Sequence, residues 1–214
     1  MKALAIFGAG GFGRETAVML RQINQHAPAW KVIGFFDDGL QKNAEVDGLR
    51  VLGNSKDLNI HSDDLSVCLA VADPAIRLDL INRISNPKIK FPTLVHPQAN
   101  LGDAQRNKLG KGCILTAGVI LTTGIEIGDF GIINLATTIG HDAGLGQYCT
   151  VMPGCSISGN VSIGKGCVLG TGSRIIQGIT IGANCRIGAG SVVTKNFGSD
   201  LKIVGVPARG MKLT

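Results

Sequence analysis

Aromatic residues are scarce. Phe, Trp and Tyr make up 4% of the 214 residues, with one Trp and one Tyr. That excludes a core built on large rings, and it excludes nucleic-acid binding by rings interleaved with basic side chains. Charged residues are sparse at 17%, yet hydrophobic residues reach 44%, which excludes general disorder. No apolar run approaches the roughly 18–20 residues of a membrane span. The apolar run in MKALAIFGAGGFGRE is too short for a secretory signal and turns directly into a glycine-rich loop. These absences predict a soluble cytoplasmic protein with no transmembrane segment and no nucleic-acid partner. The net charge of +6 comes from scattered basic residues. It fits phosphate-bearing small ligands and equally fits an ordinary basic surface.

Glycine is abundant: 31 residues, about twice the usual share. It accompanies a repeat. Every sixth residue from Leu109 to Val193 is Leu, Ile or Val. Gly follows this position at 128, 140, 146, 164, 170, 182 and 188. Six is three times the strand period, so each hexad supplies a short strand and a bend, with the aliphatic side chain always inward. Glycine beside it is expected to provide unusual backbone angles at the bend. Three hexads close one triangular coil, and stacked coils bury an aliphatic column. This predicts a parallel β-helix over residues 96–214.

The cysteines follow the same period. Cys113, Cys149, Cys155, Cys167 and Cys185 all occupy the small inward position, and Cys68 lies in the apolar run LSVCLAV. Their spacings are multiples of six rather than metal-ligand spacings. They read as small core residues in a reducing compartment, with Cys155→Ser expected to destabilise an apolar interior.

Residues 1–95 alternate differently. KALAIF, WKVIGFFDD and LSVCLAVAD read as strands; RETAVMLRQIN and PAIRLDLINRI read as helices. The alternation predicts a small Rossmann-like α/β domain that binds ligands at the strand C-termini. Gly8, Gly10 and Gly13 match G-x-G-x-x-G between a strand and a helix, with an acidic pair about 25 residues on. The physical content is a helix N-terminus open to a phosphate. A nucleotide-linked substrate, a nicotinamide cofactor and a structural turn all fit that pattern.

Of four histidines, only His141 lies inside the repeat proper, at a bend followed by Asp142. The neighbouring carboxylate can fix the tautomer of the ring, and glycine-rich turns nearby offer backbone donors. One His does not supply a three-His zinc site, so no metal is expected.

The segments GAGGFG, FFDD, NLATTIGHDAGLGQYCTVMPGCSISGNVSIGKGCVLGTGS and GVPAR together resemble the sialic-acid O-acetyltransferase and UDP-4-amino-sugar N-acetyltransferase family. The resemblance covers essentially the whole chain. It implies left-handed coiling of the β-helix and homotrimers with acetyl-CoA bound between adjacent helices. It also implies direct acetyl transfer to a sugar, often a nucleotide-linked amino sugar, in surface glycan biosynthesis. By matched motif, His141 is the general base and Asp142 its partner. Gly10, Gly11 and Phe12 lie near the substrate nucleotide, Asp37 and Asp38 grip its base or ribose, and Ala72 and Asp73 line the same pocket. Gly159 offers an amide to the acetyl carbonyl, and Thr171 and Ala189 flank the coenzyme A arm. Phe12 and Thr150 stand where members often have histidines, the latter near the acetyl group. A sugar O-acetyltransferase is the nearest alternative. A nicotinamide oxidoreductase and a non-catalytic trimeric scaffold are the alternatives from other classes.

Overall fold

The computed structural model describes residues 1–212. The chain forms two compact units, Met1–Pro97 and a second beginning at Gln98.

The first unit is an α/β domain. Its elements are β1 (Lys2–Phe7), α1 (Gly11–His26), β2 (Trp30–Phe36), β3 (Glu45–Val46), β4 (Leu49–Gly53), α2 (Ser55–Asn59), β5 (Leu65–Leu69), α3 (Pro74–Arg83) and β6 (Ile89–Lys90). The sheet order is β3-β4-β2-β1-β5-β6. All neighbours are parallel except the β3–β4 hairpin. β1 is central, and Leu4, Ala5 and Ile6 are fully buried. The hairpin and α2 add to the elements read from the sequence. Their signal is Asp47-Gly48, both at positive φ in a two-residue loop, which is the turn that matches strand twist. Asn54 then starts α2 with a capping box closed by Asp57.

The second unit is a β-solenoid of the left-handed hexapeptide type. Two-residue strands stack in three sheets, each strand pairing in parallel with the one 18 residues on, as Thr138–Ile139 pairs with Ser156–Ile157. Every sixth aliphatic residue except Leu109 is buried, so the column read from the sequence is the core. The hairpin Leu201–Gly205 and Ala208–Lys212 extends the sheet that contains Arg186–Ile187.

The bend glycines have a different cause from the one expected. Gly140, Gly164 and Gly170 do not adopt positive φ. A Cβ on them would fall 2.7, 2.5 and 2.5 Å from the amide nitrogens of Gly159, Ala183 and Ala189 in the next coil. Close stacking of coils therefore excludes the side chain. The left-handed backbone falls two residues later, at every sixth position from Gly112 to Gly190, and Phe130, Ala136, Asp142, Tyr148, Asn160 and Asn184 adopt it as well as glycine.

All six cysteines are free and buried. The solenoid interior around them is less apolar than expected. Sγ of Cys113, Cys149, Cys155, Cys167 and Cys185 each donates to a turn carbonyl, at 3.3, 3.2, 3.2, 3.1 and 3.1 Å. Burial pushes the Cys155 thiol up, and the Cys68 thiol up to about 12, so neither supplies a thiolate. Ser173 and Ser191 already occupy equivalent buried positions. A hydroxyl at 155 has Gly170 O and Ser173 Oγ within reach. Cys155→Ser is therefore expected to cost no more than about 1 kcal/mol, below the penalty of an unsatisfied group. Thermal melting checks this, with turnover unchanged.

Candidate active site

The corner after Thr138–Ile139 carries Gly140, His141 and Asp142. Asp142 takes the left-handed turn at φ 57, a conformation that Asp tolerates better than most side chains. Its N–H donates to Thr123 O at 2.9 Å, and His141 O accepts from Asn160 N at 2.8 Å. Backbone bonds to the coils on either side thus hold the pair. His141 Nδ1 lies 2.9 Å from Asp142 Oδ2, with the two side chains 49% and 53% exposed. A carboxylate only accepts, so this contact places the proton on Nδ1 and leaves Nε2 of the neutral ring as an acceptor, on the edge of the ring nearest Gly159.

Gly159 sits one coil on, against the ring. A Cβ there would lie 2.6 Å from His141 Cε1. Its own N–H donates to no protein acceptor among the described residues. An imidazole with an acceptor nitrogen and a backbone N–H without a protein acceptor among the described residues therefore occupy the same corner. That is the pairing an acyl transfer through a tetrahedral oxyanion requires.

Thr171 and Ala189 are exposed and stacked in adjacent coils at a second corner, where Gly190 N donates to Thr171 O at 2.8 Å. One face of the solenoid separates this corner from His141. Ile120, Thr138, Ser156, Arg174 and Val192 point outward from it. Five of the expected residues, His141, Asp142, Gly159, Thr171 and Ala189, thus border one face. Thr150 does not join them. It belongs to the sheet opposite the His141 corner, and its side chain is 1% exposed.

In the first unit, α1 begins at Gly11 with no side-chain cap, and Arg14 N–H makes the first helical bond to Gly10 O. A Cβ at Gly10 or Gly11 would meet nothing within 4 Å, so the loop is open there. Gly8 and Gly13 are structural, since a Cβ on Gly13 would overlap Gly8 O. Phe12 is half-buried, and its carbonyl accepts from Thr16 Oγ1 at 2.7 Å.

The acidic residues are more occupied than expected. Asp37 Oδ2 accepts from Ala9 N and Oδ1 from Gly39 N, both at 2.8 Å. Asp38 accepts from Ser55 N at 2.8 Å and from Arg83 Nη1 at 2.9 Å. Asp73 caps α3, accepting from Ala75 N at 2.8 Å and Ile76 N at 3.2 Å. The carboxylates expected to hold a nucleotide thus bond to the loops and caps of their own unit, while Gly10, Gly11 and Ala72 form an exposed wall. The fully buried Arg77 supports that wall by donating from Nη1 to the carbonyls of Val71 and Ala72, at 2.6 and 2.9 Å. Arg77 and Arg83 were not legible in the sequence as parts of this site.

Burial raises the Asp38 carboxyl, but the Ser55 amide and Arg83 outweigh it and hold the group below its usual value. A depressed carboxylate adds stability above its unfolded pKa, about 4, and that stability is lost as pH falls through the folded value. Asp38→Ala is expected to destabilise the first domain by roughly 1 kcal/mol at neutral pH, with the difference shrinking below about pH 4. Melting curves of both proteins across that range check it.

Among the described residues, no group of three or more His, Cys, Asp or Glu side chains could hold a metal ion, and no helix is long and apolar enough to cross a membrane.

An α/β unit followed by a hexapeptide solenoid with a corner His–Asp pair defines an acyltransferase of the hexapeptide class. Residues 3–84 match the family described as PglD N-terminal domain, and residues 142–177 match the bacterial transferase hexapeptide. A GDP-perosamine N-acetyltransferase from Escherichia coli is 33% identical over 160 residues, covering 74% of this chain and 71% of that protein. The acetyltransferase domain of PglB from Neisseria gonorrhoeae, solved with acetyl coenzyme A, superposes with a TM-score of 0.88 at 29% identity, covering 98% of this chain and 99% of that one. PerB from Caulobacter crescentus, solved with CoA and GDP-perosamine, gives 0.89 at 29% identity, covering 99% and 98%. The chain belongs to the hexapeptide-repeat sugar acetyltransferase family, and it is an acyltransferase.

Proposed function

We propose that the protein transfers the acetyl group of acetyl-CoA directly to the amine of a nucleotide-linked amino sugar of the GDP-perosamine kind. The observation that carries this reading is the His141–Asp142 pair at 2.9 Å beside Gly159, whose N–H has no protein acceptor among the described residues. The names of the relatives supply the acceptor class. As the amine attacks the thioester carbon, Nε2 of His141 takes its proton, and the Gly159 N–H stabilises the oxyanion. Collapse of the tetrahedral species expels the coenzyme A thiolate, which takes up a proton. Only the neutral amine is nucleophilic, so the rate rises with pH until the acceptor is deprotonated.

The first domain holds the nucleotide in a Rossmann-like manner. Its parallel strands run β4-β2-β1-β5-β6, so the order reverses at β1, whose C-terminal end carries the open Gly10–Gly11 loop. The coenzyme lies along the face between His141 and Thr171. Ile120 on that face and Leu135 and Ile176 at its borders are apolar and 44%, 43% and 44% exposed, which suits burial against a second copy in a homotrimer. The site is cytoplasmic, where acetyl-CoA and nucleotide sugars are made, and the product serves surface glycan synthesis.

The test is thiol release from acetyl-CoA with GDP-perosamine and with a UDP-linked 4-amino sugar. Turnover with either, and none with a neutral sugar alcohol, is expected; turnover only with a hydroxyl acceptor overturns the amine assignment. Light scattering is expected to give three copies, and a stable monomer at micromolar concentration overturns the shared cleft.

A further inference from the structure

Side chains at the left-handed turn positions of the solenoid lean onto the turn position one coil earlier. A Cβ at Gly112 would lie 2.5 Å from the Phe130 ring, and one at Gly166 would lie 2.6 Å from Asn184 Oδ1. At the catalytic corner the same relation joins Gly124 and Asp142: a Cβ at Gly124 would lie 2.5 Å from Asp142 Oδ1. Where the later coil carries glycine, as Gly172 follows Gly154, a Cβ meets nothing within 4 Å.

We infer that Gly124 is a positioning residue for the transfer reaction: its bare Cα seats Oδ1 of Asp142, which aims Oδ2 at Nδ1 of His141 and leaves Nε2 as the acceptor. The carboxylate has no easy retreat, because the Asp142 N–H is bonded to Thr123 O at 2.9 Å and its backbone cannot lift away. The His141–Asp142 pair is thus bounded by glycine on both sides along the solenoid axis, Gly124 under the carboxylate and Gly159 against the ring. The inference rests on the proposed function only in naming the reaction; the seat itself is a matter of geometry.

Gly154 supplies the control. Gly124 and Gly154 have nearly the same backbone, φ +70 and +68, so alanine brings the same conformational penalty at both. Only at 124 does the new methyl meet Asp142. With acetyl-CoA and GDP-perosamine, Gly154→Ala is expected to match the wild type. Gly124→Ala is expected to lower kcat by about tenfold to a hundredfold, with KM for acetyl-CoA and the melting temperature equal to those of Gly154→Ala. In an Asp142→Ala background, Gly124→Ala should cause no further loss. Nitrogen NMR of histidine-labelled protein gives a readout independent of turnover. The Nδ1–H tautomer of His141 should dominate in the wild type and in Gly154→Ala, and lose that dominance in Gly124→Ala. Equal kcat for the two alanine variants, an undiminished loss without Asp142, or an unchanged His141 spectrum in Gly124→Ala would overturn the seat. A wild type inactive on every amino sugar would strike at the function alone, and the spectrum would still decide the seat.

Discussion

His141→Ala is expected to lower kcat with a nucleotide-linked amino sugar by about 10²–10⁴ and to leave the folded protein intact. The ring is 49% exposed at a corner and contributes nothing to the aliphatic column, so its loss should move stability by no more than about 0.5 kcal/mol. Asp142 is left facing water at 53% exposure and is not stranded in the interior. With the coenzyme arm held at Thr171 and Ala189 as proposed, acetyl-CoA binding should survive, because those residues stand at a different corner. The effect should therefore appear in kcat and not in the KM for acetyl-CoA. Asp142→Asn should cost less. Asn adopts the same left-handed turn at positions 160 and 184, so the backbone is kept, while the charge that orients the ring is lost. Steady-state kinetics of both variants, with melting curves beside them, check the order. Wild-type turnover in His141→Ala would remove Nε2 from the reaction.

The solenoid was legible in the sequence because a period of six over fifteen hexads leaves few other ways to bury the aliphatic side chains. The His–Asp pair was legible for the same reason: once the coil is placed, residues 140–142 must form a corner. The left-handed positions were harder to see. Phe130, Ala136 and Tyr148 adopt them beside the glycines, so composition hides a strict backbone period. The role of Asp38 depends on Ser55 and Arg83, 17 and 45 residues away, and no local pattern announces such partners. The β3–β4 hairpin was written plainly in Asp47-Gly48, a two-residue turn flanked by residues that pair across it. Thr150 illustrates the opposite limit. It lies nine residues from His141, and a triangular coil puts that position on the opposite sheet of the same copy, so it would meet an acetyl group only in a cleft shared with a second copy.

Gly159→Ala is the second substitution with a large expected effect, and it separates ring placement from backbone strain. Gly159 does not use the left-handed region, so alanine fits its backbone without penalty. The new methyl would nevertheless lie 2.6 Å from Cε1 and 2.8 Å from Cδ2 of His141, closer than packed atoms tolerate. The backbone has little freedom to yield. Asn160 N is bonded to His141 O at 2.8 Å, and Gly178 N is bonded to Gly159 O at 3.0 Å. The imidazole must swing out, and because it is half exposed it can do so at small cost to stability. A displacement of about 1 Å at a reacting group costs on the order of 10² in rate, so kcat should fall by about that factor. Gly144→Ala is the matched control: it lies outside the left-handed region and a Cβ there meets nothing within 4 Å. It should retain turnover and gain stability by roughly 0.4–1 kcal/mol, because alanine narrows the unfolded ensemble. Full activity in Gly159→Ala would mean that the ring position seen beside Gly159 is not the one that takes the proton.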